Sequence, residues 1–148
     1  MTAATFSLLN ADEARLLDHF YRQHGSRMRA ADGERWVARA PGISAGLSLS
    51  PVADGFWLTG LFVAPAQRGQ GLAAGLVQAA LADRPGATWL FCHPDLTAFY
   101  QRLGFTVSSA LPETLAARLA RYQRSKRLVA LERPQSSLVS SPGNSTSV

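Results

Sequence analysis

A strand that halts at a proline and resumes as a helix across an Arg/Gly loop constrains this chain more than any other stretch. Trp57-Leu58-Thr59-Gly60-Leu61-Phe62-Val63 is apolar and β-rich, and it stops at Pro65. Arg68-Gly69-Gln70-Gly71 follows, and Leu72 to Leu81 then places Leu72, Leu76, Ala79 and Ala80 on one helical face. Gly69 and Gly71 let the backbone turn its N–H groups inward. The new helix adds its unpaired N–H groups and positive dipole end at the same spot. The product is a small anion receptor sized for a phosphate or pyrophosphate.

Spacing separates the ways of building such a receptor. A Walker loop needs Lys and Ser/Thr after the second Gly, and Leu72-Ala73 stands there. Gly69-x-Gly71-x-x-Ala74 formally matches a dinucleotide fingerprint. That fingerprint wants the strand to run almost straight into the first Gly, whereas Pro65-Ala66-Gln67-Arg68 intervene. The acid expected about 20 residues on is met only loosely by Asp83 or Asp95. Arg68-Gly69-Gln70-Gly71-Leu72-Ala73 resembles the Gln/Arg-x-x-Gly-x-Gly/Ala signature of the GNAT superfamily of N-acetyltransferases. The resemblance implies that Arg68, Gly69, Gln70, Gly71, Leu72 and Ala73 hold the pyrophosphate of acetyl-CoA.

A second block lies about 30 residues downstream. Trp89-Leu90-Phe91-Cys92 reads as a short buried strand bounded by Pro85-Gly86 and Pro94. Asp95 to Phe105 then places Leu96, Phe99, Tyr100 and Leu103 at i, i+3, i+4 and i+7, with Asp95 as N-cap and Gly104 as C-cap. Phe99-Tyr100-x-x-Leu103-Gly104-Phe105 is similar to the second block of the same superfamily, in the expected order and spacing.

The rest of the chain fits that frame. Thr5 to Leu9 reads as a strand. Asn10-Ala11-Asp12-Glu13 reads as a capping box opening a helix to about His24, with Leu17, Phe20 and Tyr21 inward. Gly25 to Ala31 is a short basic turn or helical piece. Glu34 to Arg39 and Ile43 to Val52 read as strands, and Asp54-Gly55 marks a hairpin into the Trp57 strand. The expected fold class is α/β (α+β), a GNAT fold with a central mixed twisted sheet of about six or seven strands flanked by helices. One departure stands out: Pro112-Glu113 opens an extra helix over 112–124 before a last strand at Arg127 to Leu131. Its Arg118, Arg121 and Arg124 make either a solvated basic face or a wall of the acceptor site that favours an acidic acceptor. Residues 1–133 are expected to form the acetyltransferase domain, and 134–148, uncharged and Ser-rich after Arg133, a disordered tail.

Composition bounds the alternatives. With 148 residues the chain supports one core. No run approaches 18 apolar residues, so no membrane span is expected. Cys92 is the only cysteine, which excludes an intramolecular disulfide and suits a cytoplasmic location. Fourteen Arg and one Lys give a net charge of +5. The arginines are dispersed rather than in a run, so a multiply phosphorylated cofactor explains the charge better than nucleic acid does.

The resemblance also implies chemistry: direct attack of an acceptor amine on the acetyl thioester, with positioning supplying much of the rate. Main-chain groups of Leu61, Phe62 and Val63 would bind the pantetheine arm and the thioester oxygen beside a bulge. Tyr100 would be the acid for the departing thiolate, or only part of the apolar stripe. His93 could be the base, contact the cofactor or cap the strand end; Glu34 or Asp54 acting through water are further candidates. Cys92 reads as a core residue rather than a nucleophile. No cluster has metal-ligand spacing, so no metal is expected. The sequence thus reads as an acetyl-CoA-dependent N-acetyltransferase acting on a small-molecule or peptide amine, with a homodimer compatible. The rivals are a non-catalytic CoA-binding module and a basic nucleic-acid-associated protein.

Overall fold

Apolar alternation and turn chemistry set the strands. The computed structural model describes residues 3–30, 32–108 and 110–134; the Ser-rich stretch after Pro134 lies outside the described residues. Among the described residues there are seven strands: β1 (Thr5–Leu8), β2 (Glu34–Arg39), β3 (Ile43–Val52), β4 (Gly55–Val63), β5 (Thr88–Cys92), β6 (Thr106–Val107) and β7 (Val129–Arg133). They form one mixed sheet in the order β1-β2-β3-β4-β5-β7-β6. β2 runs antiparallel to both β1 and β3, β7 runs antiparallel to β5 and β6, and β4 pairs in parallel with β5 through Phe56↔Thr88 and Trp57↔Trp89. The helices are α1 (Arg15–Gln23), α2 (Leu72–Leu81), α3 (Thr97–Gln101) and α4 (Glu113–Tyr122). This is the expected mixed architecture, extra helix included. Among the described residues no helix is long and apolar enough to cross a membrane.

The chain divides into two compact units. The first is Met1–Ser50 with Leu58–Ala82. Its core gathers Leu9, Leu17, Phe20, Tyr21, Val37 and Ala64, with Ala30, Ile43 and Phe62 packed against them. The Asn10 capping box is present: Asn10 N–H donates to Glu13 Oε1 at 3.2 Å and Glu13 N–H donates to Asn10 Oδ1 at 2.9 Å. It opens a 3-10 turn (Ala11–Glu13) that feeds α1, rather than α1 itself. Leu17, Phe20 and Tyr21 point into the core because they share one face at i, i+3 and i+4. α2 packs on β1 and β2.

The second unit is Pro51–Trp57 with Asp83–Val148. Leu90, Tyr100, Phe105, Leu115 and Leu131 are buried within it. The second motif folds differently from its periodicity. Pro94–Leu96 form a 3-10 turn capped by His93, and the helix proper starts only at Thr97, so Asp95 is not its N-cap. Leu96 is left 47% exposed, because the tighter winding before Thr97 rotates it off the stripe. The last strand begins at Val129, two residues later than its apolar run suggests.

Candidate active site

In the first unit the decisive local feature is a glycine inside a strand. Gly60 sits in β4 with φ +71°, the left-handed conformation that glycine takes in a G1 bulge. The Tyr21 hydroxyl donates to the Gly60 carbonyl at 2.6 Å. A Cβ at Gly60 would lie 2.7 Å from that hydroxyl oxygen, so a side chain there would force the phenol to shift. Burial, reinforced by the nearby Asp18 carboxylate, pushes the Tyr21 phenol well above its ordinary pKa and keeps it a donor. Leu61, Phe62 and Val63 follow the kink directly, all half-buried. The sequence marks Tyr21 only as an inward-facing helix residue and Gly60 only as part of the apolar strand, although a glycine in the middle of such a strand is the available signal for this pairing.

The loop after β4 is an exposed turn of unpaired donors. Pro65–Gln67 form a 3-10 turn, Gly69 has φ +82°, and Gly71 (φ +78°) caps α2 in the left-handed region. Among the described residues, none of the N–H groups from Gly69 to Ala74 donates to another backbone group; the α2 ladder begins with Gly75 N–H to the Gly71 carbonyl at 3.0 Å. A Cβ at Gly69 or Gly71 would meet nothing within 4 Å. Six donors and two open glycines therefore stand at one positive helix end, which suits a pyrophosphate. Arg68 braces the loop: its Nε donates to the Val63 carbonyl at 3.0 Å, and its guanidinium lies 5.3 Å from the Phe62 ring centre.

In the second unit the sequence-derived residues have distinct fates. His93 follows β5, and its Nδ1 accepts the Asp95 N–H at 3.0 Å. With Nδ1 accepting, a neutral ring carries its proton on Nε2, so that nitrogen offers a donor. Tyr100 is buried between Phe99 and Phe105, at ring distances of 5.0 and 5.6 Å, and its hydroxyl makes no hydrogen bond with the other described residues. Burial, with Cys92 beside it, pushes the Tyr100 phenol up to about 12. Burial also raises the Cys92 thiol, which starves it of thiolate and fits a core residue. Of the water-relay candidates, Glu34 accepts the Trp36 Nε1–H at 2.9 Å, and Asp54 lies exposed in the turn before β4. Arg118 does not lie free on a basic face: its guanidinium stacks 4.3 Å above the Trp57 ring, while Arg121 and Arg124 are exposed. Among the described residues no group of three His, Cys, Asp or Glu could hold a metal ion.

The acetyltransferase (GNAT) domain model matches residues 31–107, just over half of the chain, and spans both the Gly69/Gly71 loop and the Tyr100 block. The chain belongs to the GNAT acetyltransferase family. No curated protein gives a significant match to it in sequence. Among solved structures it is similar to N-acetylglutamate synthase from Neisseria gonorrhoeae, complexed with coenzyme A and N-acetyl-glutamate: TM-score 0.65, 14% identity, 92% of this chain and 36% of that one. The chain thus spans about a third of that synthase. It is also similar to the ribosomal-protein-S18-alanine N-acetyltransferase from Escherichia coli, with TM-score 0.66 and 17% identity over 97% of this chain and 99% of that one. A GNAT-family acetyltransferase from Staphylococcus aureus gives TM-score 0.60 at 13% identity, over 89% and 99%. Identities this low establish a shared fold. For this GNAT chain they accord with the mixed seven-stranded sheet.

Proposed function

We propose that residues 1–133 form an N-acetyltransferase domain that moves the acetyl group of acetyl-CoA to a small-molecule or peptide amine by direct attack. The observation that carries this reading is the row of unpartnered N–H groups from Gly69 to Ala74 beside two open left-handed glycines. Those groups would hold the pyrophosphate, with Arg68 fixing the loop to β4, and the main chain of Leu61 to Val63 would receive the pantetheine arm and thioester. In the step itself the amine nitrogen forms the C–N bond, the C–S bond breaks, and the ammonium proton leaves to base or water. The sulfur departs as thiolate and takes a proton in turn.

Tyr100 is the residue we assign to that thiolate. A phenol near pKa 12 is fully protonated at working pH. A thiol near 8.5 is the stronger acid, so complete transfer from the phenol is uphill. Tyr100 therefore serves as a hydrogen-bond donor to the developing sulfur charge, and the proton itself comes from solvent. His93, with Nδ1 engaged, would offer a donor to the coenzyme rather than a base. The lone cysteine accords with a cytoplasmic location.

Thermal unfolding tests the cofactor assignment directly. Ligand at 100 times its Kd stabilises the fold by about 2.7 kcal/mol, so CoA and acetyl-CoA should raise Tm and NADH should not. A shift with NADH alone would reassign the loop to a dinucleotide. Release of free CoA with any member of a broad amine panel would exclude a purely binding role.

A further inference from the structure

The stretch between α1 and β2 contains a feature that the coenzyme loop does not use. A Schellman motif closes α1: Gly25 is left-handed at φ +69°, Gly25 N–H donates to the Arg22 carbonyl at 3.0 Å, and Ser26 N–H donates to the Tyr21 carbonyl at 2.9 Å. The next residues are irregular yet tied down. Met28 N–H donates to Ser26 Oγ at 3.1 Å, and Ala30 N–H donates to Asp18 Oδ1 at 2.8 Å, which returns the segment to α1. Between helix and segment lies a cavity of about 600 Å³ lined by Arg22, Arg27, Arg29, Met28 and Asp18. That volume falls in the usual range for small-molecule sites.

Charge decides what it suits. Three arginines line one cavity, and among the described residues none of their guanidinium groups is paired with a carboxylate or engaged in a hydrogen bond. The single carboxylate, Asp18, already spends one oxygen on the Ala30 N–H. Like charges gathered around one open cavity repel, and a bound anion relieves them. The cavity also adjoins the kinked strand: the Arg29 carbonyl oxygen is 3.9 Å from the point a Cβ of Gly60 would take, and Ala30 packs on the cluster that holds Phe62. Leu61, the residue after Gly60, begins the segment assigned to the thioester.

We infer that this cavity is the acceptor pocket and that the acceptor is an anionic amine, a small molecule whose carboxylate or phosphate is clamped by Arg22, Arg27 and Arg29. This rests on the acetyltransferase reading for its chemistry, though not for its ligand binding. Bidentate guanidinium contacts to such groups are short, directional and charge-assisted. The exposed thioether of Met28, at 41% exposure, offers an apolar contact to the carbon chain between amine and anion.

The test uses the full chain with saturating acetyl-CoA and reads CoA release. Its matched acceptors are aspartate and aspartate diamide, phosphoethanolamine and ethanolamine, and putrescine. Calorimetric titration of the same compounds in the presence of CoA runs alongside. The anionic member of each pair should be preferred by about tenfold or more in kcat/KM, the range of one or two charge-assisted hydrogen bonds. The aspartate and phosphoethanolamine arms tell carboxylate from phosphate. Arg27→Glu with Arg29→Glu should abolish that preference and favour putrescine, while CoA affinity stays unchanged. Both side chains are exposed, so the fold should tolerate the pair, and Arg27→Gln with Arg29→Gln gives a neutral check. Equal use of charged and neutral partners, or a preference unmoved by both double variants, overturns the proposal. Should no amine turn over, titration decides: anions that bind wild type but not the variants sustain the pocket and sink the enzyme reading, and anions that bind neither sink the pocket.

Discussion

Two glycine-bearing stretches of similar length solve opposite problems in this molecule. Around Gly69 and Gly71 the backbone leaves six consecutive N–H groups without backbone partners and keeps the space beside both glycines open. Around Gly104 the backbone closes on itself. Gly104 N–H donates to the Gln101 carbonyl at 3.1 Å and Phe105 N–H to the Tyr100 carbonyl at 3.1 Å, a Schellman motif with Gly104 at φ +95°. Phe105 then packs on Tyr100. In both places the left-handed backbone selects glycine, but one glycine exposes donors and the other retires acceptors. A glycine signature therefore announces a binding site only when the neighbouring backbone is left unsatisfied.

The sharpest way to break this contrast is Gly71→Glu. It sets a carboxylate against the proposed phosphate position, and we expect CoA affinity to fall by about 100-fold or more through like-charge repulsion and lost approach. The Cβ itself meets no atom, so the structural cost is limited to a left-handed non-glycine residue, about 1 to 2 kcal/mol. Titration calorimetry on the folded variant reads both effects, and unchanged affinity would move the pyrophosphate site elsewhere.

Next in size is Tyr100→Phe. Loss of a donor to the departing thiolate should lower kcat about 10- to 100-fold, the low end for acid–base assistance, with KM for acetyl-CoA moving less. Wild-type kcat in the variant would return Tyr100 to a packing role. Burial also changes what the pH profile can report. With the phenol near 12, no alkaline limb from this group is expected below about pH 11.

Alkaline stability sharpens the same point at smaller scale. Tyr21 and Tyr100 both have folded pKa values above the unfolded value near 10. Each therefore contributes stability that is intact below pH 10 and is lost as pH rises toward the folded pKa. The slope is about 1.4 kcal/mol per pH unit for each tyrosine once the unfolded phenol ionises. Denaturant melts between pH 9 and 11.5 should show it, and Tyr100→Phe should remove one share of the slope. A slope unchanged in that variant would mean that the Tyr100 pKa is not raised.

Smallest is Gly104→Ala. A Cβ there would sit 3.4 Å from Arg133 Nε, the flexible part of a side chain. The left-handed strain remains, so about 1 kcal/mol of stability should be lost with CoA affinity untouched. A comparable fall in CoA affinity would erase the contrast between the two glycines.

The sequence conveyed local geometry well and side-chain company poorly. β2, β3 and α2 fall where alternation and helical period place them, because each carries its own period and turn residues. Both glycine motifs were legible for the same reason. The Asp95 cap was misread because His93 and Pro94 impose a 3-10 turn that periodicity cannot register. Arg118 looked like one of three surface charges, but its stacking on Trp57 joins residues 61 positions apart in sequence, a tertiary fact with no local trace. Gly25 to Ala31 read as a bland basic turn; its arginines gain meaning only once Asp18 folds the segment back on α1.

The Tyr21–Gly60 hydrogen bond has a kinetic consequence. It links groups 39 residues apart, so the kink in β4 can be registered only after α1 has docked, and the loop-closure cost falls before that reward. The strand segment proposed to meet the thioester should accordingly be among the last parts of the first unit to settle. Tyr21→Phe should then speed unfolding and leave the folding rate nearly unchanged, a low φ-value that a chevron plot would reveal.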